Sequence, residues 1–521
     1  MLFQSPQFLF IFLPATLFAY FLAGKFIGKT AAHFVLAAAS ILFYASWRLP
    51  DTGLLLALVI FNYSVYRFFL RKSADRPETM RFRAVATGVA VNVATLVYFK
   101  YTGFMVANIE ALTGVSLGIV EPLMPLAISF FIFQKIAYLV DAYRNQLQDH
   151  SAGRFTLFVF FFPQLIAGPI VHFREVNPSF SDERTISPIE SNILAGLIMF
   201  GLGLFKKVIL ADSFATYASP IFDFADKAAA VDAYAAWLGA LSYTFQIYFD
   251  FSGYSDMAIG LALLFNVRLP VNFDSPYRST SIIGFWKAWH ITLSRFLLEY
   301  LYIPLGGNRR GALRRHVNLL ATMLIGGIWH GAGWTFLIWG GLHGIFLIVN
   351  HMWRTYAEGA PAALIWLFSS WRAGLLTLVA VVIAWVPFRA NTLQGSVTML
   401  KGMAGLSGAT PPFFDPWPMP AAFLVDGRIL ASWSGLLFGG AWIILGAAIV
   451  LVLPNVWRSL DYQPMHSPLP TAATPTALDR AILDFYRRRP LLFAAGAGFL
   501  FALGIGQVLS GSASPFLYFQ F

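Results

Sequence analysis

The chain has 521 residues, of which 58% are hydrophobic and 12% are charged, and its formal net charge is +11. A soluble domain carries about 25% charged residues, so this composition excludes an ordinary soluble protein and indicates an integral membrane protein. The absence of cysteine excludes a disulfide framework, thiol catalysis and cysteine metal ligands.

Apolar stretches of about 20 residues recur along the whole chain, and each is long enough to cross a hydrocarbon layer as a helix. The first stretch, within Met1–Ala23, has no basic residue before its apolar run, so we interpret it as a retained span and not as a signal peptide. We expect about eleven or more crossings, with some segments re-entrant or interfacial. The candidate segments are 6–24, 31–47, 52–70, 84–105, 122–140, 154–171, 190–211, 228–250, 253–267, 317–339, 335–353, 363–388, 430–454 and 490–510.

Basic residues gather in short loops beside these apolar segments, as the positive-inside rule expects of cytoplasmic loops. This distribution explains the positive net charge better than a nucleic-acid partner does. Lys25 and Lys29 follow the first segment, so the N-terminus is predicted outside the cytoplasm and these two lysines inside. Further basic groups lie in 71–83, 309–315 and 487–489.

Three segments are too polar or too rich in proline for a simple span. Ser281–Arg315 is predicted to hold a shallow or re-entrant helix and then a cytoplasmic loop, with its turn at Gly306–Asn308. The proline-rich stretch Ser407–Gly427 is predicted to be an irregular loop. A second polar loop covers Asp461–Arg489, and Leu478–Tyr486 within it is predicted to form a short surface helix.

Three histidines near the middle of the chain are candidates for chemistry, because ionisable residues inside membrane spans are costly. Glycines flank His330 and leave room for a ligand, and imidazole is a common general base for a hydroxyl. The alternative, a histidine that only bonds between helices, is slightly favoured by spacing alone. His343 follows 13 residues later, about 140° around an ideal helix, so we expect it to face a different neighbour.

His290 also has two possible functions. On a single helix its neighbours are Lys287 at i−3 and Ser294 at i+4, so it could orient a substrate. It could equally lie at an interface beside an aromatic belt. The spacing of the histidines does not fit a zinc site, so no metal is expected.

Two other patterns indicate irregular or polar structure within the membrane. Asp250 and Asp256 lie in an apolar region and suggest a polar lining or a helix break, and Asp250 is a candidate cap for the following helix. Phe161–Pro169 has a proline near each end of a glycine-containing apolar run, which predicts a broken helix.

An ordered set of short motifs, spread over essentially the whole chain, resembles the membrane-bound O-acyltransferase (MBOAT) superfamily. The resemblance is greatest to the bacterial branch that contains the alginate O-acetyltransferase membrane subunit. One departure concerns the Arg-Asp pair common in this family before Tyr300, which is Leu298-Glu299 here, so a phosphate contact is not expected at Leu298. The matching motifs are Phe161–Pro169, Phe249–Asp256, Asn272–Arg278, Trp289–Ser294, Tyr300–Asn308, Ile328–Trp334, Trp385–Ala390 and Pro515–Phe521.

The resemblance implies an all-α polytopic membrane protein with one MBOAT domain over residues 1–521, helices around a central funnel, and a site region at about 155–355. It implies an O-acyltransferase of the bacterial inner membrane. This enzyme would move an acyl group, with acetyl as the first candidate, from a cytoplasmic thioester across the membrane for O-acetylation of a polysaccharide such as alginate. The donor would be acetyl-CoA or an acyl carrier, without a bound cofactor. The partner would be a periplasmic or membrane-anchored polysaccharide acetyltransferase.

The resemblance also implies roles for individual residues. His330 in the Trp-His-Gly motif would be the general base for an acceptor hydroxyl or would position the donor carbonyl, and His290 would orient the substrate or stabilise charge. His343 matches a recurrent but less clearly catalytic position. Substrate contacts would come from Trp329, Trp334, Asn308, Asp256 and Tyr300.

Two other functions are compatible with a polytopic membrane protein. A transporter or flippase for lipid-linked sugars would be expected to have repeated halves and paired broken helices, and the sequence has no evident repeat. A structural subunit of an export complex would need no embedded histidine. The residues leave open which polymer is acetylated and which thioester is the donor.

Overall fold

Helices make up almost all of the regular structure, as the composition predicts. The computed structural model describes residues 1–71, 76–227, 230–409, 422–425, 428–431, 433–464, 476–511, 514 and 516–517. Most of the chain divides into two compact units. The first contains Met1–Gly201 and Tyr254–Val271, and the second contains Leu202–Gly253, Asn272–Tyr462 and the C-terminal helices.

The first unit begins with eight helices, several of which start or end at glycine or proline. Gly28, with a φ of 113°, separates the first two helices, since this conformation is open to glycine but rare for other residues. The helices are α1 Phe8–Phe26, α2 Lys29–Ala45, α3 Leu49–Leu70, α4 Glu78–Thr113, α5 Ile128–Tyr143, α6 Ala152–Phe160, α7 Phe162–Leu165 and α8 Phe173–Ser181.

Two long helices, α9 Glu190–Ala225 and α10 Ala233–Leu264, have residues in both units. A parallel pairing of β1 (Ala230–Val231) with β3 (Arg428–Ala431) and an antiparallel pairing of β3 with β2 (Ala422–Val425) form a small sheet. The remaining helices are α11 Ile282–Ala288, α12 Ile291–Leu297, α13 Gly311–His330, α14 Trp334–Ala357, α15 Ala362–Leu367, α16 Ser370–Arg389, α17 Leu393–Met403, α18 Trp433–Val452, α19 Val456–Ser459, α20 Ala477–Arg488 and α21 Pro490–Leu509.

Eight helices in the described part of the chain are long and apolar enough to cross a membrane, namely α1, α3, α4, α9, α14, α16, α18 and α21. The protein is therefore a multi-pass membrane protein. The number of crossings predicted from the sequence, about eleven, is higher because that prediction includes further apolar segments. Of these, α2 and α5 have only 17 and 16 residues, whereas α10 and α13 are long enough but more polar.

The break predicted within Phe161–Pro169 is confirmed. Helix α6 ends at Phe160 and α7 begins at Phe162, with Pro163 in its first turn. The amide of Phe162 donates to Ser40 Oγ (3.3 Å), and the side-chain amide of Gln164 donates to the Phe158 carbonyl (2.6 Å). These bonds satisfy polar groups that the interruption leaves inside the protein.

The break predicted near Asp250 is wrong, because α10 continues through this residue and joins segments 228–250 and 253–267 into one helix. Asp250 is therefore not a helix cap. Its carboxylate lies 3.1 Å from the ammonium of Lys207, which in turn lies 2.6 Å from Asp212. Ion pairing lets a buried carboxylate remain inside a continuous helix.

The polar segments are more regular than predicted. The turn at Gly306–Asn308 is confirmed, with positive φ at Gly306 and Gly307, but α13 begins directly afterwards and contains Arg314 and Arg315. The predicted surface helix is confirmed as α20. Of the predicted loop Ser407–Gly427, residues 410–421 and 426–427 lie outside the described residues, and Ala422–Val425 is a strand and not irregular.

Helices α13 and α14 form a hairpin whose backbones touch through glycine. A Cβ added to Gly327 would lie 2.3 Å from the Phe336 carbonyl oxygen. One added to Gly340 would lie 2.4 Å from the carbonyl oxygen of Met323. No side chain fits at either position, so the two helices approach at the distance that glycine alone permits.

The contact between the two helices can be tested with two neighbouring glycines of α14, Gly340 and Gly341. We expect Gly340→Ala to destabilise the hairpin, by about 1–3 kcal/mol or more as overpacking does, because the new methyl meets backbone that cannot move aside. Gly341→Ala is the matched control, since its Cβ would meet only a Leu324 methyl at 3.7 Å. Thermal unfolding of both purified variants in detergent measures the difference; equal melting temperatures would contradict the packing described.

Candidate active site

His290 lies at a sharp turn between α11 and α12. Its φ is 44°, a left-handed conformation that is uncommon for residues other than glycine. Backbone bonds on either side hold this turn, from the Asp274 amide to the Ala288 carbonyl (2.9 Å) and from the Ile291 amide to the Asn272 carbonyl (3.0 Å). The predicted single helix through Lys287, His290 and Ser294 is therefore wrong, because the chain leaves the helix at Ala288 and restarts at Ile291.

His330 is the last residue of α13, directly before the turn into α14. The side chain is buried, with only 3% of the residue exposed. A Cβ on Gly331 would lie 2.1 Å from the Phe336 ring, so the glycine of the Trp-His-Gly motif lets this ring close over the turn. The local sequence thus places an imidazole at a helix end inside the protein.

The second unit brings His290 and His330 together, with ring centroids 6.4 Å apart. Both rings are buried, and His290 is fully so. Aromatic side chains surround the pair, which gives a site of low polarity from which water is largely excluded. The ring distances are 4.7 Å for Phe251–His290, 6.2 Å for Trp329–His290, and, to His330, 4.9 Å from Trp329, 4.9 Å from Trp339 and 5.2 Å from Phe388.

His343 belongs to the same cluster, although the sequence predicts that it faces a different neighbour. That prediction is wrong because it assumes one helix, whereas His330 ends α13 and His343 lies on α14. Both rings pack on Trp339, at 4.9 and 5.0 Å. The indole N–H of Trp286 donates to His343 Nδ1 at 3.2 Å, so in the neutral imidazole the hydrogen lies on Nε2.

The buried N–H groups at His343 Nε2 and Trp339 Nε1 have no hydrogen-bond acceptor among the described residues. A buried donor without an acceptor costs about 1–3 kcal/mol, so such groups call for an explanation. An oxygen of a bound substrate is the kind of atom that would accept from them. The arrangement can therefore offer imidazoles for proton transfer and N–H donors for a carbonyl oxygen.

The residues predicted to bind substrate are distributed unevenly. Trp329 is buried in the cluster, whereas Trp334, at the start of α14, is 52% exposed. Asn308 is exposed in the turn before α13, and Tyr300 is half-buried in a π-helical turn over Leu298–Tyr302. Asp256 is buried on α10, in the part that belongs to the first unit.

Sequence reasoning missed Trp286, Trp339 and Phe388 as parts of the site. The chain is 17% aromatic, so a single tryptophan carries little information in the sequence. One usable signal was the spacing of Trp339 and His343, four residues apart on a predicted helix, which places both on one face.

Comparisons with known proteins give a consistent result. The family model described as MBOAT, membrane-bound O-acyltransferase family, matches residues 39–385. A peptidoglycan O-acetyltransferase of Helicobacter pylori is 42% identical over 79% of this chain and 81% of its own length. A probable alginate O-acetylase AlgI of Azotobacter vinelandii is 37% identical over 100% of both chains. A teichoic acid D-alanyltransferase of Streptococcus thermophilus is 28% identical over 44% of this chain and 57% of its own length.

The Trp286–His343 hydrogen bond can be tested by making the same substitution at Trp286 and at Trp339. We expect Trp286→Phe to lower the free energy of unfolding by about 1–3 kcal/mol, because His343 Nδ1 is left buried without its donor. Trp339→Phe removes the same ring atoms but an N–H that has no described acceptor, so it should cost less. Thermal unfolding in detergent compares the two; a larger loss for Trp339→Phe would contradict the assigned bond.

Proposed function

This chain belongs to the membrane-bound O-acyltransferase family, and we propose that its acyltransferase site is the aromatic cluster around His290 and His330. It is an O-acyltransferase, as its relatives are. The substrate would be an acetyl thioester on the cytoplasmic side, and the acetyl group would serve O-acetylation of an extracytoplasmic polysaccharide. The observation that carries this proposal is the pair of buried imidazoles, 6.4 Å apart and enclosed by aromatic rings.

The two histidines differ in their electrostatic surroundings, which supports a division of labour. His330 ends the 20-residue helix α13, where the negative end of the helix dipole favours a positive charge. His290 precedes the first residue of α12, where the positive end of the dipole disfavours one. His330 is therefore the better proton acceptor, and His290 is suited to hold a substrate oxygen as a neutral ring.

The reaction then follows ordinary acyl transfer. An acceptor hydroxyl oxygen attacks the thioester carbonyl carbon while His330 takes its proton. As the carbon–oxygen ester bond forms, the carbon–sulfur bond breaks, and the thiolate leaves with the proton from His330. The N–H groups of Trp339 and His343 would stabilise the negative charge that develops on the carbonyl oxygen.

Enclosure by aromatic rings would serve the same reaction, because water competes with the acceptor hydroxyl for the acyl group. A thioester of coenzyme A or of a carrier protein is anionic, and the basic loops predicted on the cytoplasmic side suit such a donor. Names of relatives suggest peptidoglycan or alginate as polymer. A periplasmic or membrane-anchored acetyltransferase would be the partner that completes the modification, and the bacterial inner membrane the location.

The experiment uses the absence of cysteine, which means that a thiol reagent detects only thiol released from the donor. We expect the purified wild-type chain, supplied with an alginate oligosaccharide as hydroxyl acceptor, to release thiol from acetyl-coenzyme A, and His330→Ala to be slower by about 10²–10⁴-fold, as when a general base is lost. His290→Ala should lower the rate less. His351→Ala is the control, because this residue lies on α14 two turns beyond His343.

The same variants should be expressed in the native host, where the acetyl ester content of the polysaccharide is measured at equal membrane levels of the protein. Loss in His330→Ala with normal content in His351→Ala supports the proposal. Full acetylation by His330→Ala would refute the assigned base. Normal polysaccharide acetylation by wild type without thiol release from acetyl-coenzyme A would exclude this donor and favour a carrier protein.

A further inference from the structure

The first unit contains a groove that the proposed acyltransferase site does not use. It encloses about 890 Å³, within the usual range of ligand sites. One wall is a single face of α2, whose lining residues recur every three to four positions from Lys29 to Leu42. The other wall comes from the start of α6 and the end of α8.

One end of this groove is basic. Arg154 donates to Ser181 Oγ (3.0 Å) and to Asn177 Oδ1 (3.4 Å), which are both neutral, and it has no ion pair within the described ranges. Lys29 donates to the Ser181 carbonyl and pairs with Glu183, whose side chain is 74% exposed. Two cations and one carboxylate leave this end with a net charge of +1.

The remainder of the groove is apolar and open to the surroundings. It is lined along α2 by Phe34, Ala38, Ile41 and Leu42. Phe34 is 74% exposed and Leu42 is 67% exposed, as expected for side chains that face lipid. A ligand that fits must therefore combine an anionic group at one end with a hydrocarbon chain.

The length of the groove matches one leaflet of a bilayer. Lys29 and Leu42 are 13 residues apart on α2, or about 20 Å at a rise of about 1.5 Å per residue. Half of the hydrocarbon core is about 15 Å thick, and the headgroup layer adds several ångströms. A headgroup at Arg154 would thus place an acyl chain from the membrane surface to near the midplane.

The basic end also lies on the side where anionic lipids are expected. Lys29 is predicted in the cytoplasm by the charges that follow the first span. In the same unit, Arg71 pairs with Asp149, and Arg81 donates to the Tyr143 carbonyl and to Asn145, so further basic residues meet the loop that leads into α6. Basic pockets on the cytoplasmic side are a common means of binding anionic headgroups.

We propose that this groove binds one anionic glycerophospholipid of the cytoplasmic leaflet, with its phosphate at Arg154 and Lys29 and one acyl chain along α2. His33 lies one helical turn beyond Lys29 in the lining, and its Nε2 has no hydrogen-bond partner in the described part of the chain. It can bond to the ester region beneath the phosphate. The lipid would fill the space between α2, α6 and α8 and hold these helices together.

The test is native mass spectrometry of the purified full-length chain, equilibrated with equal amounts of phosphatidylglycerol and phosphatidylethanolamine that have identical acyl chains. We expect wild type to retain about five times as much phosphatidylglycerol as phosphatidylethanolamine. This is the difference expected from the attraction of one basic residue to an anionic headgroup. Arg154→Gln should abolish this preference. Arg144→Gln is the matched control, an exposed arginine in the loop before α6 that does not line the groove, and it should behave as wild type.

A second variant tests the acyl chain. Ala38→Phe fills the apolar part of the groove and should lower the retention of both lipids, with an unchanged elution volume and melting temperature as evidence that the chain is folded. Equal retention of the two lipids by wild type, or retention of phosphatidylglycerol by Arg154→Gln, would overturn the proposal. Displacement of the lipid by millimolar inorganic phosphate would also overturn it, since that would indicate a simple anion site.

Discussion

The backbone contact between α13 and α14 is the constraint on which the candidate site depends. Gly327 and Gly340 let the two helices touch at distances that exclude any Cβ. This closeness brings the end of α13, with His330, against the face of α14 that carries Trp339 and His343. A larger residue at either glycine would separate the helices and open the cluster, so the chemistry proposed for His330 rests on two residues that have no side chain.

The second constraint is the left-handed conformation of His290. A residue other than glycine in this region costs about 1–3 kcal/mol, and it persists only where the surroundings hold it. Here the carbonyl of Asn272 and the amide of Asp274 bond to the chain on either side of the turn. The strain turns the imidazole out of the helical path and towards His330, which a continuous helix through Lys287 and Ser294 would not do. The backbone hydrogen bonds around the turn thus hold this candidate catalytic residue in its strained conformation.

Features that depend on local sequence could be predicted, and features that depend on tertiary contacts could not. The break at Phe161 and the turn at Gly306–Gly307 follow from proline and glycine, whose conformational limits act within a few residues. Continuity of α10 through Asp250 could not be predicted, because Lys207, the residue that pairs with this carboxylate, lies 43 positions earlier in the chain. The ordered motifs indicated the family and singled out His330 as a candidate, but the positions of Trp286 and Trp339 beside the histidines depend on contacts between separate helices.

The aromatic enclosure has a consequence for how the proposed reaction is controlled. A pair of imidazoles in a site of low polarity interacts strongly with any charge that develops there, because little water screens it. In the proposed reaction, the helix dipole of α13 would favour transfer of the acceptor proton to His330, and the Trp286–His343 bond would leave the Nε2–H of His343 for the carbonyl oxygen. Each of these groups is positioned by the backbone or by a neighbouring ring. The rate of the proposed reaction should therefore depend on the packing of the aromatic rings around the site as much as on the two histidines themselves.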